Sequence, residues 1–85
     1  MVEWQRFDPT EWDIEYDLDK LAAHHVSESE AAEVIWNGFI VRRNQGSHGA
    51  NRYQLLGRTD EGRPLKLIVH VSGVRSLRVI TGWRI

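Results

Sequence analysis

The apolar residues change their period once, at Gly38, and this change restricts the fold more than any other feature of the chain. Before Gly38 they recur at helical spacing; after it they recur at every second residue. A chain that writes helices first and strands afterwards buries both by laying the helices on one face of a sheet. The first helix is expected from a cap at Asp17, with Leu18, Leu21, Ala22 and His25 on one face. The second starts more sharply. Ser27-Glu28-Ser29-Glu30 reads as a capping box, in which the Ser27 hydroxyl and the Glu30 carboxylate each satisfy an unpaired backbone N–H. Ala31, Val34 and Ile35 form its buried stripe, Glu28, Glu30 and Glu33 face outward, and Gly38 is the stop.

Strands are expected at Phe39–Arg43, Arg52–Arg58, 65–71 and 75–83, with a flexible loop at 45–50 and a turn at Asp60-Glu61-Gly62. Pro64 is tolerated at a strand start. A three-residue loop, Ser72 to Val74, keeps the last two strands in a register that puts apolar side chains on a common face. Trp12 and Ile14, within residues 10–16, suit a short edge strand, and residues 1–9 read as a loose extension. The expected architecture is one α+β domain. Two short helices pack on one face of a four-stranded antiparallel sheet.

Eighty-five residues suit a single domain that buries only about 60–65% of its unfolded surface. Domains this small often gain stability by pairing, so a homodimer within a complex stays open. Cysteine is absent, which excludes disulfides and thiolate metal sites and fits a reducing cytoplasm. No apolar run approaches the roughly 20 residues of a spanning helix, and no signal-peptide pattern is present. A soluble cytoplasmic protein is expected, without a membrane partner. The net charge of −1 conceals a strong asymmetry. Residues 1–33 hold ten acidic side chains against Arg6 and Lys20, a balance of −8; residues 34–85 hold nine Lys/Arg against Asp60 and Glu61, a balance of +7. Such a split points either to a charged partner or to halves that neutralise each other within the fold.

The expected register decides where the cations go. The face opposite the helices collects Arg52, Arg58, Lys66, His70 and Arg78, spaced by Gln54, Leu56, Ile68 and Ile80 and free of acidic residues. Arg52 is expected opposite His70, with Arg78 one diagonal step away. Alternating arginine is ordinary on a solvated sheet face, but unpaired like charges repel mildly and favour an anionic partner. Imidazole titrates near neutrality, which makes His70 the acid–base candidate. Trp83 is placed to stack on a base. His24, His25 and His48 have no further ligand at a usable spacing, so neither a metal nor another cofactor is expected. A phosphate-cradling loop, a nucleophile elbow and a basic recognition helix are all missing.

Several short motifs occur together in order. Glu11-Trp12-Asp13 is followed by His24-His25-Val26-Ser27, Arg52-Tyr53-Gln54-Leu55-Leu56-Gly57-Arg58-Thr59, Leu67-Ile68-Val69-His70 and Arg78-Val79-Ile80-Thr81. Together they resemble the BrnT family of type II toxin–antitoxin ribonuclease toxins, across nearly the whole chain. The resemblance implies a RelE-like fold and an endoribonuclease toxin neutralised by a small DNA-binding antitoxin. DNA would then be reached only through the antitoxin. If the chain cleaves RNA, the basic face leads us to expect Arg52, His70 and Arg78 as catalytic residues, with Arg58, Lys66, Trp83 and Arg84 binding RNA. The chain departs from the family at Ala50-Asn51, where a glutamate usually precedes the arginine. It departs again at Tyr16, where a lysine is usual, and at Trp83, which takes the place of the last arginine. These departures keep a second expectation open, a non-catalytic module whose basic face docks an acidic partner or RNA.

Overall fold

The computed structural model describes residues 2–44 and 51–85, so the expected loop at 45–50 and His48 lie outside the described residues. The fold is α+β. Helices α1 (Leu18–Ala23) and α2 (Glu28–Asn37) pack on one face of a sheet of β1 (Asp13–Tyr16), β2 (Phe39–Arg43), β3 (Arg52–Arg58), β4 (Pro64–Gly73) and β5 (Ser76–Arg84). The strand order is β1-β5-β4-β3-β2. The expected four-stranded antiparallel sheet is therefore corrected to five strands in a mixed sheet. Asp13-Ile14-Glu15-Tyr16 pairs in parallel with β5, turning Ile14 and Tyr16 toward the core and Asp13 and Glu15 away from it. Its partner lies some 60 residues on in the sequence, which no local pattern of four residues reveals.

Both helix starts follow the expected chemistry. Asp17 accepts from the Lys20 N–H at 3.2 Å. Ser27 and Glu30 exchange both bonds of the capping box at 3.1 Å. The first helix ends sooner than its spacing suggests, at Ala23. His25 takes a φ of 59°, the Val26 N–H returns to the Leu21 carbonyl, and Val26 enters the core in place of His25. Two bulges set the β4–β5 register. Gly73 faces Ser76 across a two-residue turn, so the expected three-residue loop is replaced by a turn plus an extra Ser72. The second bulge leaves Ile80 between Val79, opposite Val69, and Thr81, opposite Ile68. Leu77 and Val79 remain on the core face because the extra Ser72 restores the parity that a two-residue turn alone would break, whereas beyond Ile80 it is Gly82 and Arg84 that take the inner parity.

The N-terminal residues are not a loose extension. Two 3-10 turns, Trp4–Arg6 and Pro9–Glu11, carry Trp4, Phe7 and Trp12 onto the inner face beside Phe39 and Tyr53. Their ring centres lie 5.1–6.4 Å apart, in stacked, tilted and edge-on pairs. The spacing 4, 7, 12 follows neither a helix nor a strand, which is why the sequence does not announce this packing. Gly82 is forced by close approach: a Cβ there would sit 2.6 Å from Leu67 Cδ2 and 3.0 Å from the Lys66 carbonyl oxygen.

Helix α2 is also clamped to the β3–β4 turn by its acidic residues, so Glu30 and Glu33 do more than face solvent. Glu30 binds Arg63 at 3.0 Å, Glu33 accepts from the Asp60 N–H at 3.0 Å, and Asn37 donates to Asp60 and to the Arg58 carbonyl. The Ser27 N–H holds the Glu30 carboxyl below its ordinary pKa, and the charge of Arg63 acts in the same direction. A carboxylate lowered in the fold stabilises above its unfolded pKa, and that stabilisation fades as pH falls through the folded value. Glu30→Ala is expected to cost about 1 kcal/mol at neutral pH. The deficit should shrink as the pH falls below the ordinary glutamate range. Urea unfolding of both proteins across that range checks it; a deficit independent of pH would rule out the carboxylate as its source.

Candidate nucleic-acid interface

The outer face of the sheet, opposite the helices, is organised in rows by the strand register. One row runs Glu15, Arg78, His70, Arg52 across β1, β5, β4 and β3. Directly opposed side chains of neighbouring strands have Cβ atoms about 4.5–5.5 Å apart. A carboxylate, a guanidinium, an imidazole and a second guanidinium thus lie side by side. Arg52 faces His70 as the alternation predicts; Arg78 faces His70 directly and not diagonally, because the two-residue turn at Val74-Arg75 together with the extra Ser72 shifts the register by two residues from the one a loop at 72–74 would set.

The expectation of a face without acids is corrected by β1. Arg78 binds Glu15 at 3.3 Å and Asp17 at 3.8 Å, so two carboxylates fix its guanidinium. Glu15 is the residue of this row that sequence reasoning missed. Its signal was the alternation of Asp13 to Tyr16, but only the parallel pairing with β5 shows which cation it meets. At the other end of the row, Arg52 Nε and His70 Nδ1 are both buried without a hydrogen-bond partner among the described residues. Leaving a buried polar nitrogen unpaired costs about 1–3 kcal/mol. An oxyanion seated between these side chains would remove that cost.

A second row, Thr81, Ile68, Gln54 and Arg42, adds a cation from β2. Ile68 keeps only 8% exposure although it points outward, because Gln54, Lys66, His70 and Thr81 surround it. Gln54 donates to Asn44 at 3.1 Å. A third row begins with Trp83 opposite Lys66. Lys66 Nζ lies 5.9 Å from the Trp83 ring centre, and the His24 ring lies 5.7 Å from it on the side of α1. A base seeking Trp83 would therefore compete with two side chains of the protein itself.

Two expected RNA-binding residues stand apart from the row. Arg84 pairs with Leu65 and so has the parity of the inner face, at the strand end. Arg58 is six residues along β3 from Arg52, about 20 Å away, and its guanidinium donates to the Gly62 carbonyl at 2.9 Å. The geometry thus gathers Arg52, His70, Arg78 and Glu15, reaches Arg42 and Lys66, and leaves Arg58 and Arg84 outside. Among the described residues, no three His, Cys, Asp or Glu side chains are grouped to hold a metal ion, and no helix is long and apolar enough to cross a membrane. Comparison with known protein families, with characterised proteins and with solved structures finds no match to this chain.

Proposed function

We propose that the chain is a metal-independent endoribonuclease of the BrnT kind, with a RelE-like fold, acting as the toxin of a type II toxin–antitoxin pair. The observation that carries the reading is the row in which His70 stands between Arg52 and Arg78. Such a site uses the 2′-OH of RNA as its nucleophile, so DNA is spared. His70 takes the 2′-OH proton as the oxygen attacks the adjacent phosphorus. Arg52 and Arg78 balance the charge of the pentavalent phosphorane, the bond to the 5′ oxygen breaks, and that oxygen takes a proton from water while the His70 imidazolium returns its own to solvent. The products are a 2′,3′-cyclic phosphate and a 5′-hydroxyl. Arg42 and Lys66 guide the chain of phosphates toward the row. A small DNA-binding antitoxin that covers this face would silence the enzyme.

Glu15 partly offsets the glutamate that the family carries where this chain has Ala50-Asn51. It supplies a carboxylate to the row from another strand. Tyr16, in the place of the family's lysine, faces inward and packs on the core; burial pushes its hydroxyl above the ordinary tyrosine pKa, and Glu28 adds to the shift. That position serves the fold here and not the site.

A second reading has one observation in its favour. Arg78 already satisfies two carboxylates, which suits a surface that binds an acidic partner or RNA without cutting it. Incubation of the purified protein with total RNA in EDTA separates the two. New fragments ending in 2′,3′-cyclic phosphate, absent with Arg52→Ala, are the expected result. Intact RNA, with and without added ribosomes, would leave the binding module as the function.

A further inference from the structure

The inner and outer faces account for most of the sheet, but the free edge of β2 has no role in either. β2 is the last strand in the sheet order, and its five residues pair with β3 without a bulge. The Asn44 N–H donates to the Arg52 carbonyl at 3.1 Å. Ladder bonds recur at every second residue of an antiparallel pair. Arg42 and Ile40 therefore bond to β3, while Phe39, Val41 and Arg43 turn their N–H and C=O groups to the open side. Edges of this kind recruit further strands unless a proline, a bulge or a covering segment blocks them. β2 contains no proline and no bulge.

The side chains beside that edge carry a definite chemistry. On the inner side a groove of about 380 Å³ runs past Trp36, Phe39, Val41 and Pro9. Trp36 is 58% exposed, and Ile40, on the outer side, is 66% exposed. Large apolar groups left in water next to unpaired backbone mark an interaction surface. Arg42 and Arg43 follow at the strand's end, both exposed, and neither forms an ion pair among the described residues. The edge is thus apolar over residues 39–41 and cationic over 42–43.

We propose that the open edge of β2 accepts an extended acidic segment of a partner protein as a sixth strand. In the antiparallel orientation, which pairs more stably, that segment presents two carboxylates beside Arg43 and Arg42. Apolar β-branched residues follow them, beside Val41, Ile40 and Phe39. Backbone bonds to Phe39, Val41 and Arg43 supply much of the affinity, and the side chains supply the selection. This surface shares Arg42 with the outer face but none of the residues of the His70 row, and it holds whether or not the protein cleaves RNA.

The test uses the intact protein and two short, end-capped, fluorescein-labelled peptides. One has two glutamates followed by alternating valine and isoleucine; the other has lysines in place of the glutamates. The glutamate peptide should bind, shift the backbone amide signals of residues 39–43 and weaken with salt, while the lysine peptide should not. Val41→Pro removes one outward N–H without removing a bond to β3, and should weaken binding by about tenfold or more. The double variant Arg42→Glu/Arg43→Glu should reverse the preference between peptides. If Val41→Pro does not fold, a glutamate peptide with alternate amides N-methylated serves in its place and should fail to bind. Absence of binding at millimolar peptide would overturn the proposal. So would equal binding of the lysine peptide, undiminished binding after either block, or shifts centred on His70. A dimer of the free protein that Val41→Pro dissolves would assign the edge to a second copy and overturn the acidic partner.

Discussion

Replacing His70 with alanine is expected to lower the rate of RNA cleavage by about 10²–10⁴-fold, the usual contribution of one general acid–base group. Binding of RNA should change little. The electrostatic attraction comes from Arg52, Arg78, Arg42 and Lys66, all retained, and phosphate contacts dominate nucleic-acid affinity. Truncation at a half-buried outward position, with both strand neighbours intact, is also mild for the fold. Arg52→Ala should behave differently. It removes a phosphate-binding charge, so affinity and rate fall together and the dependence of binding on salt becomes shallower. Initial rates with a fluorogenic RNA, anisotropy of a non-cleavable 2′-deoxy analogue and a melting curve for each variant distinguish these outcomes. Near-normal cleavage by His70→Ala would remove imidazole from the mechanism. A parallel loss of binding and melting temperature would make His70 a packing residue.

The helices and the outer face were legible because each rests on a local rule. Ser27 with Glu30 is a complete capping signature, Gly38 is a stop, and the alternation of 52–58 with 65–71 assigns parity to every cation on the two central strands. Arg52 and His70 could be placed opposite one another on that basis alone. What escaped depends on distance along the chain. The parallel pairing of β1 with β5 joins Glu15 to Arg78 across 63 positions and carries no turn that would announce it. The turn and the bulge at Ser72 shift the partner of Arg78 by two residues and keep its face, so its face was correct and its neighbours were not, whereas the bulge at Ile80 reverses the faces of the residues that follow it. The aromatic spacing of Trp4, Phe7 and Trp12 has no period because the rings are presented by 3-10 turns. Arg84 was misplaced by the second bulge: parity counted along β5 fails beyond Ile80, which is an extra residue.

Leu21→Ala is expected to be the most damaging single truncation, and its effect should reach the site. Helix α1 has six residues, and Leu21 is its one fully buried side chain, at 0% exposure. A helix this short has no stability of its own. It is held by that leucine, which sits against the space left by Gly82 and Leu67. Loss of a buried leucine costs about 2–5 kcal/mol. A chain of this size has only about 4–13 kcal/mol in total. The melting temperature should fall by roughly 10 °C or more. Local unfolding of α1 should precede global unfolding, because nothing else on the helix is buried deeply enough to replace the anchor. Asp17 caps α1 and also binds Arg78. If the helix frays, that carboxylate leaves the guanidinium, and Arg78 is held by Glu15 alone. Amide exchange should then rise across residues 18–26 and at the β1–β5 pairing well before it rises in β3 and β4. Uniform exchange throughout the sheet would mean that α1 and the core unfold as one unit, and that Asp17 does not couple the helix to the His70 row.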